Sequence, residues 1–243
     1  MNPFSLEGKI ILVTGSSSGI GRAIAVLCSQ MGAKVILHGR NRARLNEVMA
    51  QLEGNGHLIV SGDLTSEQDI ANIAKTIPSV DGVVHCAGIG HRCLCKQLNA
   101  VEIDRVMNAN FRGTVLLQTA LLEQKKVNKG GSIVFIASRA AESPAIGNAI
   151  YSASKGALVS YAKCLGLELA PLRRVNCICP SMVWTNLIYD SGLDEREQKE
   201  REKGYPMTHY GSPEDIAPLA VYLLSDASGW MTNSCIDITG GGN

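Results

Sequence analysis

The chain has 243 residues and a formal net charge of +1, from 23 Lys and Arg against 22 Asp and Glu. Because positive and negative charges nearly cancel, no concentrated cationic surface is expected, which argues against nucleic acid as a partner. Hydrophobic residues make up 45% and charged residues 19% of the chain, too apolar for disorder and enough for one large core. No apolar stretch reaches the roughly 18 residues that a membrane span needs, so we expect no membrane partner.

The start of the chain and its cysteines indicate a cytoplasmic location. Met1–Glu7 is short and polar, and the apolar run Ile10–Val13 is too brief for a secretory leader. We therefore expect the 8 cysteines to be reduced and to serve as small apolar residues. Their spacings lack the His partners of a zinc site, so no metal ligand is expected.

Short β-branched runs alternate with amphipathic helical patterns along the chain. The predicted strands are Lys9–Thr14, Lys34–His38, His57–Val60, Asp81–Cys86, Ser132–Ala137, Arg174–Cys179 and Ser234–Ile238. The predicted helices are Gly21–Met31, Ala43–Leu52, Ser66–Ile77, Ala100–Gln124, Tyr151–Leu169 and Pro213–Leu224. Apolar strands separated by helices predict an α/β protein with a parallel sheet covered on both faces. We expect a single-domain, doubly wound Rossmann fold with seven strands over residues 1–243.

The first strand runs directly into a glycine-rich turn, Thr14–Gly21, and a helix follows. Glycines at this point let the backbone approach a diphosphate closely, and the helix directs its free N–H groups at that charge. No Gly-Lys-Ser/Thr follows, which excludes a P-loop. The expected diphosphate contacts are Gly15, Ser17, Ser18, Gly19, Ile20 and Gly21.

The end of the second strand bears on the choice of cofactor. An acidic residue there would bind the ribose 2′-hydroxyl of NAD, whereas an arginine pairs with the 2′-phosphate of NADP. The chain has Arg40 and Asn41 at this point and no acid, so NADP(H) is preferred over NAD(H). After the third strand, Asp63 and Leu64 are placed to contact the adenine. Asp63 could equally cap the helix that opens at Thr65 or Ser66.

Further along the chain lie four residues in a specific arrangement. Asn110 ends the run Asn108-Ala109-Asn110, Ser138 follows the fifth strand, and Tyr151-Ser152-Ala153-Ser154-Lys155 opens a predicted helix. Together with the glycine turn, these motifs resemble the short-chain dehydrogenase/reductase family over essentially the whole chain. The resemblance implies that Asn110, Ser138, Tyr151 and Lys155 are catalytic.

The side chains account for this chemistry. Tyr151 and Lys155 are four residues apart on one helical face, so the ammonium favours the phenolate form of the tyrosine. Tyr151 can then act as general acid in carbonyl reduction or as base in alcohol oxidation. Ser138 can hydrogen-bond the substrate oxygen. The resemblance further implies that Lys155 holds the nicotinamide ribose and that Asn110 positions a proton-relaying water.

The family pattern also implies further cofactor contacts. Ala87 and Gly88 would lie by the adenosine ribose, and Pro180, Val183 and Thr185 would seat the nicotinamide. The sequence departs from the pattern at Cys86, where asparagine is common, and at Ser181, where glycine is usual. The segment 185–210 contains a mixed charge run with i,i+4 pairs. It reads as a solvated surface helix, as a mobile substrate lid, or as both.

The chain looks most like the 3-oxoacyl-[acyl-carrier-protein] reductases, which implies an NADPH-dependent reductase acting on an acyl thioester. An acidic acyl carrier protein could dock on Lys125, Lys126, Lys129, Arg173 and Arg174, expected beside the active site, although ordinary helix-end solvation explains them equally well. Arg92 and Arg139 would suit a substrate carboxylate or phosphate, which keeps a sugar, polyol or other small hydroxy compound as the alternative. A non-catalytic NADP(H) sensor is a second alternative. The resemblance also implies a homotetramer, or a homodimer, built on Ala100–Gln124 and Tyr151–Leu169.

Overall fold

A parallel sheet runs through the computed structural model, which describes residues 2–189 and 194–242. Its strands in those residues are β1 Ile10–Thr14, β2 Lys34–Gly39, β3 Leu58–Ser61, β4 Val80–His85, β5 Val127–Ile136, β6 Arg174–Pro180 and β7 Cys235–Ile238. Their order is β3-β2-β1-β4-β5-β6-β7, and every ladder is parallel. The order reverses between β1 and β4, so a ligand crevice is expected at their carboxyl ends. The predicted doubly wound Rossmann fold is confirmed.

Helices cover both faces of the sheet. In the described part of the chain they are α1 Gly19–Gln30, α2 Arg42–Met49, α3 Glu67–Thr76, α4 Ala100–Met107, α5 Gly113–Glu123, α6 Ala149–Leu169, α7 Asn186–Tyr189, α8 Glu195–Glu202 and α9 Pro213–Leu224. Within residues 2–189 and 194–242, no helix has the length and apolar character needed to cross a bilayer.

Two apolar layers hold the helices to the sheet because alternate residues of each strand point to opposite faces. Ile11 and Val13 of β1 pack with Ile24 of α1 and Ala220 of α9 on one face. Leu12, between them, belongs to the other layer, together with residues of α3, α5 and α6. The strands therefore read as continuous apolar runs, as expected of a sheet buried on both sides.

The predicted helix Ala100–Gln124 and the predicted strand Ser132–Ala137 differ most from the structure. The predicted helix Ala100–Gln124 is interrupted by a π-helical segment, Asn108–Arg112, between α4 and α5. An amphipathic pattern does not reveal such a change in hydrogen bonding. Strand β5 begins at Val127 rather than Ser132, because Val127 pairs with Val80 across an irregular register.

Candidate active site

The glycine turn joins the carboxyl ends of β1 and β4. The Thr14 hydroxyl accepts hydrogen bonds from the N–H groups of Cys86 at 3.0 Å and Ala87 at 3.2 Å. Gly15 has φ +67, and a Cβ there would lie 2.8 Å from the Cα of Ala87. A Cβ at Gly21 would lie 2.4 Å from the Gly15 carbonyl oxygen. The glycine turn and the segment after β4 are therefore in backbone contact, with no room for a side chain at Gly15 or Gly21.

The start of α1 is suited to bind an anion. The Ser18 side chain makes no capping hydrogen bond, and the positive end of the helix dipole lies there. A cleft of about 370 Å³ borders this turn, and its walls include Ser17, Ser18, Gly19 and Thr185. The turn thus fits the diphosphate of a dinucleotide.

After the carboxyl ends of β2 and β3, Arg40 and Asp63 form an ion pair, with Nη1 and Oδ2 3.8 Å apart. The Asp63 carboxylate also accepts the N–H and hydroxyl of Thr65, each at 2.9 Å, and the bond from the Thr65 N–H lowers the pKa of Asp63. The cap of α3 is Ser66, which accepts from the Asp69 N–H at 3.2 Å. The prediction that Asp63 caps this helix is therefore wrong.

The other two residues expected at this end have structural contacts of their own. The Asn41 side chain accepts the Arg44 N–H at 3.1 Å and caps α2. Leu64 is buried, and its carbonyl oxygen lies 2.2 Å from the position that a Cβ at Gly113 would take. The side chains of Asn41 and Leu64 therefore stabilise the local structure. These two residues can contact a ligand through their backbone groups.

Lys155 and Tyr151 lie near each other on α6. The Lys155 Nζ donates to the Ile136 carbonyl oxygen at 2.9 Å and is 5.9 Å from the centroid of the Tyr151 ring. The lysine is buried, with 5% of its surface exposed. Gly88 faces it, since a Cβ there would lie 3.6 Å from Nζ. The predicted proximity of ammonium and phenol is thus present in the structure.

Asn110 lies in the π-helical segment and is fully buried. Its Oδ1 accepts the Ile89 N–H at 2.7 Å, and its Nδ2 donates to the Ile89 carbonyl at 3.0 Å and to the Ser154 hydroxyl at 3.0 Å. The Ser154 hydroxyl donates in turn to the Tyr151 carbonyl at 2.7 Å. Ser154 was missed from the sequence, although it lies three residues after Tyr151 on the same helical face.

Ser138 follows β5 and is half-buried. Its hydroxyl accepts the Ala140 N–H at 3.1 Å and so caps the short 3₁₀ turn Arg139–Ala141. A hydroxyl that accepts this bond still has its own proton to donate. Arg139, expected to bind a substrate anion, pairs instead with Glu142 at 2.5 Å and with Asp237 at 3.3 Å.

The segment after β6 is the one expected to seat the nicotinamide. Pro180 is the last residue of that strand. Val183 forms a parallel bridge with Gly211. The Thr185 Cγ2 lies 3.3 Å from the position that a Cβ at Gly19 would take. This segment therefore lies against the glycine turn.

Ser181, the departure after Pro180, contacts the segment expected to form the lid. Its hydroxyl and that of Tyr205 are 3.1 Å apart and share a hydrogen bond. The Tyr205 ring packs edge-on against Tyr210, with centroids 4.9 Å apart. Trp184 donates its indole N–H to Glu202 at 2.7 Å. This aromatic cluster has no local sequence motif, because its members are separated along the chain.

The charge run of this segment forms α8. Asp194 caps the helix by accepting the N–H groups of Arg196 and Glu197 at 2.7 and 3.2 Å. The predicted i,i+4 ion pair between Glu195 and Lys199 has a distance of 2.8 Å. The part of the expected lid at 190–193 lies outside the described residues.

The basic residues assigned to carrier-protein docking lie at the wrong edge of the sheet. Arg174 is the first residue of β6 and donates to the carbonyls of Leu223, Ser225 and Met231. Arg173 donates to the Val127 carbonyl at the start of β5. Parallel strands begin at the edge opposite the glycine turn, so the prediction that these residues flank the active site is wrong. Helix α6 ends there, whereas Tyr151 lies near its start.

The chain is similar to known proteins over nearly all of its length. Residues 15–243 match the family model described as Enoyl-(Acyl carrier protein) reductase. The chain is 30% identical over 237 residues to the 3-oxoacyl-[acyl-carrier-protein] reductase FabG of Rickettsia felis, covering 97% of each chain. It is 31% identical over 243 residues to the NAD-dependent glycerol dehydrogenase of Listeria innocua, covering 98% of this chain and 95% of the relative. The solved structure of 3-ketoacyl-(acyl-carrier-protein) reductase from Brucella melitensis complexed with NADH matches at TM-score 0.88 and 31% identity, covering 98% of this chain and 99% of that one.

Proposed function

This chain belongs to the short-chain dehydrogenase/reductase family, and from that premise we propose that it is an NADPH-dependent oxidoreductase that interconverts a ketone and a secondary alcohol. The supporting observation is the buried Lys155 ammonium, 5.9 Å from the centre of the Tyr151 ring. The pair lies in the first half of α6, near the carboxyl ends of the strands, where the glycine turn is also found. A phenol and a cation so placed suit proton transfer to a substrate oxygen.

The proposed roles follow from the contacts of each side chain. A bound nicotinamide supplies the hydride. Tyr151 donates its proton to the carbonyl oxygen, and Ser138 donates a hydrogen bond to the same oxygen as negative charge develops. Lys155 donates one proton to the Ile136 carbonyl oxygen and is free to bind a ribose hydroxyl with its other two protons. Asn110 keeps Ile89 and Ser154 in place around the pair.

Substitution of Tyr151 tests the assignment. Tyr151→Phe removes the proton donor and leaves the ring packing intact, so we expect the rate of NADPH oxidation with a ketone to fall about 10²- to 10⁴-fold. NADPH binding, followed by fluorescence, should be retained. Tyr161→Phe, on the same helix, is the matched control and should keep its rate. Full turnover by Tyr151→Phe would overturn the proposal, whereas tight NADPH binding by the wild type without turnover of any ketone would support the sensor alternative.

The proposed NADPH preference is supported by Arg40. Its side chain is 72% exposed, and its ion pair with Asp63 is long at 3.8 Å. An exposed pair contributes less than about 1 kcal/mol, so a 2′-phosphate can compete for the guanidinium. The similar proteins from Listeria innocua and Brucella melitensis are named with NAD and NADH, which makes a direct comparison of the two cofactors necessary.

Arg40→Ser should lower kcat/KM for NADPH about 10- to 100-fold, because a hydrogen bond to a charged group contributes about 1.5–3 kcal/mol. Its kcat/KM for NADH should change little. Lys129→Ser removes an exposed cation near the start of β5, at the opposite end of the strands, and is the control that should leave both values near the wild type. If wild-type protein binds NADH as tightly as NADPH, the preference is refuted.

The proposed substrate is a 3-oxoacyl thioester, as the name of the Rickettsia felis relative suggests. A sugar, polyol or other small hydroxy compound is the second candidate. It is favoured by the similarity to a glycerol dehydrogenase. It is also favoured by the position of Arg173 and Arg174, which lie away from the glycine turn and so do not form a carrier-protein docking surface beside the site. Rates with acetoacetyl thioesters, free and on an acyl carrier protein, should be compared with rates for ketoses and dihydroxyacetone. Turnover of the thioesters alone supports the first candidate, and turnover of the small ketones alone supports the second.

We infer that residues 185–210 cover the substrate. The hydrogen bond between Ser181 and Tyr205 connects this segment to the turn that would seat the nicotinamide.

We propose that the protein is a homotetramer or a homodimer. Exposed apolar residues on α4 and α6 support this assembly, with Val101 74% and Leu167 72% exposed. Gel filtration that shows only monomer would contradict it.

We also propose a cytoplasmic location. It is supported by the eight cysteines, all of which are free thiols.

A further inference from the structure

Two cysteines face each other across the last two strands of the sheet. Cys177 of β6 and Cys235 of β7 are paired in register, and both are free thiols. Neighbouring strands are about 4.8 Å apart, within the range of about 4.4–6.8 Å between Cα atoms that a disulfide spans. Each thiol shifts the pKa of the other, as expected of neighbouring side chains. Cys177 is buried, whereas Cys235 is half-buried.

The surroundings make the two thiols unequal. The hydrogen bond from Cys177 lowers the pKa of Cys235 to about 7, and the Lys163 ammonium acts in the same direction. Burial, Glu142 and Asp237 oppose this shift. The same hydrogen bond and burial raise the pKa of Cys177. Cys235 is therefore the member of the pair that carries a thiolate near neutral pH, the form that reacts with oxidants.

Most other cysteines lack this activation. Burial raises the pKa of Cys28 to about 12, that of Cys86 to about 11 and that of Cys179 to about 12. A hydrogen bond with Glu168 raises the pKa of the exposed Cys164. If exposure decides which cysteine reacts, Cys95 and Cys164 react first. If a lowered pKa decides it, Cys235 reacts first.

We propose that Cys235 and Cys177 form a peroxide-reactive dithiol, a modification site separate from the proton-transfer residues. The Cys235 thiolate attacks one oxygen of hydrogen peroxide, the O–O bond breaks, and the leaving hydroxide takes up a proton to give water and a sulfenic acid. The Cys177 sulfur then attacks the Cys235 sulfur. The sulfenic hydroxyl leaves as a second water with the Cys177 proton, and a disulfide remains. One peroxide is reduced and two thiols are oxidised.

The pair is connected to the candidate active site through β7. Asp237, two residues after Cys235, pairs with Arg139 at 3.3 Å, and Arg139 follows Ser138 directly. The Ile238 carbonyl accepts the Ser181 N–H at 3.2 Å. A disulfide at the start of β7 therefore forms in a strand that contacts Arg139, next to Ser138, and Ser181, in the turn proposed to seat the nicotinamide. The reactivity itself does not depend on the proposed function.

The first test needs no variant. Native protein is treated with limiting iodoacetamide at pH 7 and the modified cysteines are identified by peptide mapping. We expect Cys235 to be modified before Cys95 and Cys164, although both of those are exposed. Modification in order of exposure would overturn the proposal.

The second test removes the hydrogen-bond donor. Cys177→Ala should slow alkylation of Cys235 roughly fivefold, because the smaller thiolate fraction outweighs the greater nucleophilicity of a more basic thiol. Cys28→Ala is the control for loss of a buried cysteine and should leave the rate unchanged. An unchanged rate in a folded Cys177→Ala protein would contradict the assignment.

The third test follows the products of oxidation. Peroxide should remove two titratable thiols from wild-type protein, produce a peptide crosslinked between Cys177 and Cys235, and be reversed by dithiothreitol. In Cys177→Ala, the sulfenic acid at Cys235 should persist and be trapped by dimedone. A crosslink between other cysteines, or oxidation that spares Cys235, would refute the dithiol.

Discussion

Asn110 and Ser154 connect three parts of the proposed site through side-chain hydrogen bonds. The amide of Asn110 satisfies both backbone groups of Ile89, and the Ser154 hydroxyl passes the connection to the Tyr151 carbonyl. Both side chains have no exposed surface. A buried polar group without a partner costs about 1–3 kcal/mol, so this network has effectively one stable arrangement. It explains how the position of Tyr151 is held relative to β4.

Asn110→Ala should lower the free energy of unfolding by about 3 kcal/mol or more, because it leaves the N–H and carbonyl of Ile89 without their partners. Ser154→Ala should cost less, about 1–2 kcal/mol. Urea unfolding measures both. Asn72→Ala, at an exposed position of α3, is the control and should stay within about 0.5 kcal/mol. Equal stability of Asn110→Ala and the wild type would show that the network has no energetic role.

At the scale of elements, the glycine turn depends on close backbone contact rather than on side chains. A Cβ at Gly21 would lie 2.4 Å from the Gly15 carbonyl oxygen, and backbone cannot move aside as a flexible side chain can. Helix α1 would have to shift away from the turn. The alignment of its N–H groups with a diphosphate depends on that position.

Gly21→Ala should therefore weaken NADPH binding at least about tenfold and cost about 1–3 kcal/mol of stability. Gly156→Ala provides the opposite case, because nothing lies within 4 Å of a Cβ there. In the middle of α6 this change should stabilise the protein by about 0.5–1 kcal/mol. Titration calorimetry and thermal unfolding distinguish the two, and an unchanged NADPH affinity in Gly21→Ala would contradict the role of the turn.

At the scale of the whole molecule, two histidines lie inside the sheet layers. His38 and His85 are each 2% exposed. Burial lowers the pKa of each to about 4. The His85 ring stacks on Phe135 with centroids 4.8 Å apart and meets the Gln118 side chain at 2.9 Å. In the unfolded chain the same residues titrate near about 6.5.

The unfolded chain therefore takes up protons between about pH 6.5 and pH 4 that the folded protein does not, so stability falls as the pH drops through this window. From pH 7 to pH 5 the expected loss is about 2 kcal/mol for each histidine. His85→Phe keeps the aromatic stacking and removes one titrating group. Urea unfolding at both pH values should show a loss smaller by about 2 kcal/mol in this variant. An identical loss would exclude His85 as a contributor.

The sequence alone was sufficient for the fold class and for the core of the candidate site. The glycine turn, Tyr151 with Lys155, and the strand and helix pattern all depend on spacings within one or two elements, and short-range geometry is the same in every protein. Boundaries were less predictable. The π-helical segment at Asn108–Arg112 depends on packing against residues far away in the sequence.

Only the tertiary structure decided contacts between distant parts of the chain. It paired Arg40 with Asp63, Ser181 with Tyr205 and Cys177 with Cys235, and it placed Arg173 and Arg174 at the edge away from the glycine turn. The reason is physical. Parallel strands bring residues tens of positions apart into register, and the strand order that selects those neighbours is set by the packing of the whole sheet. The sequence by itself determined the reaction chemistry to expect, and the fold determined which charges and thiols lie near it.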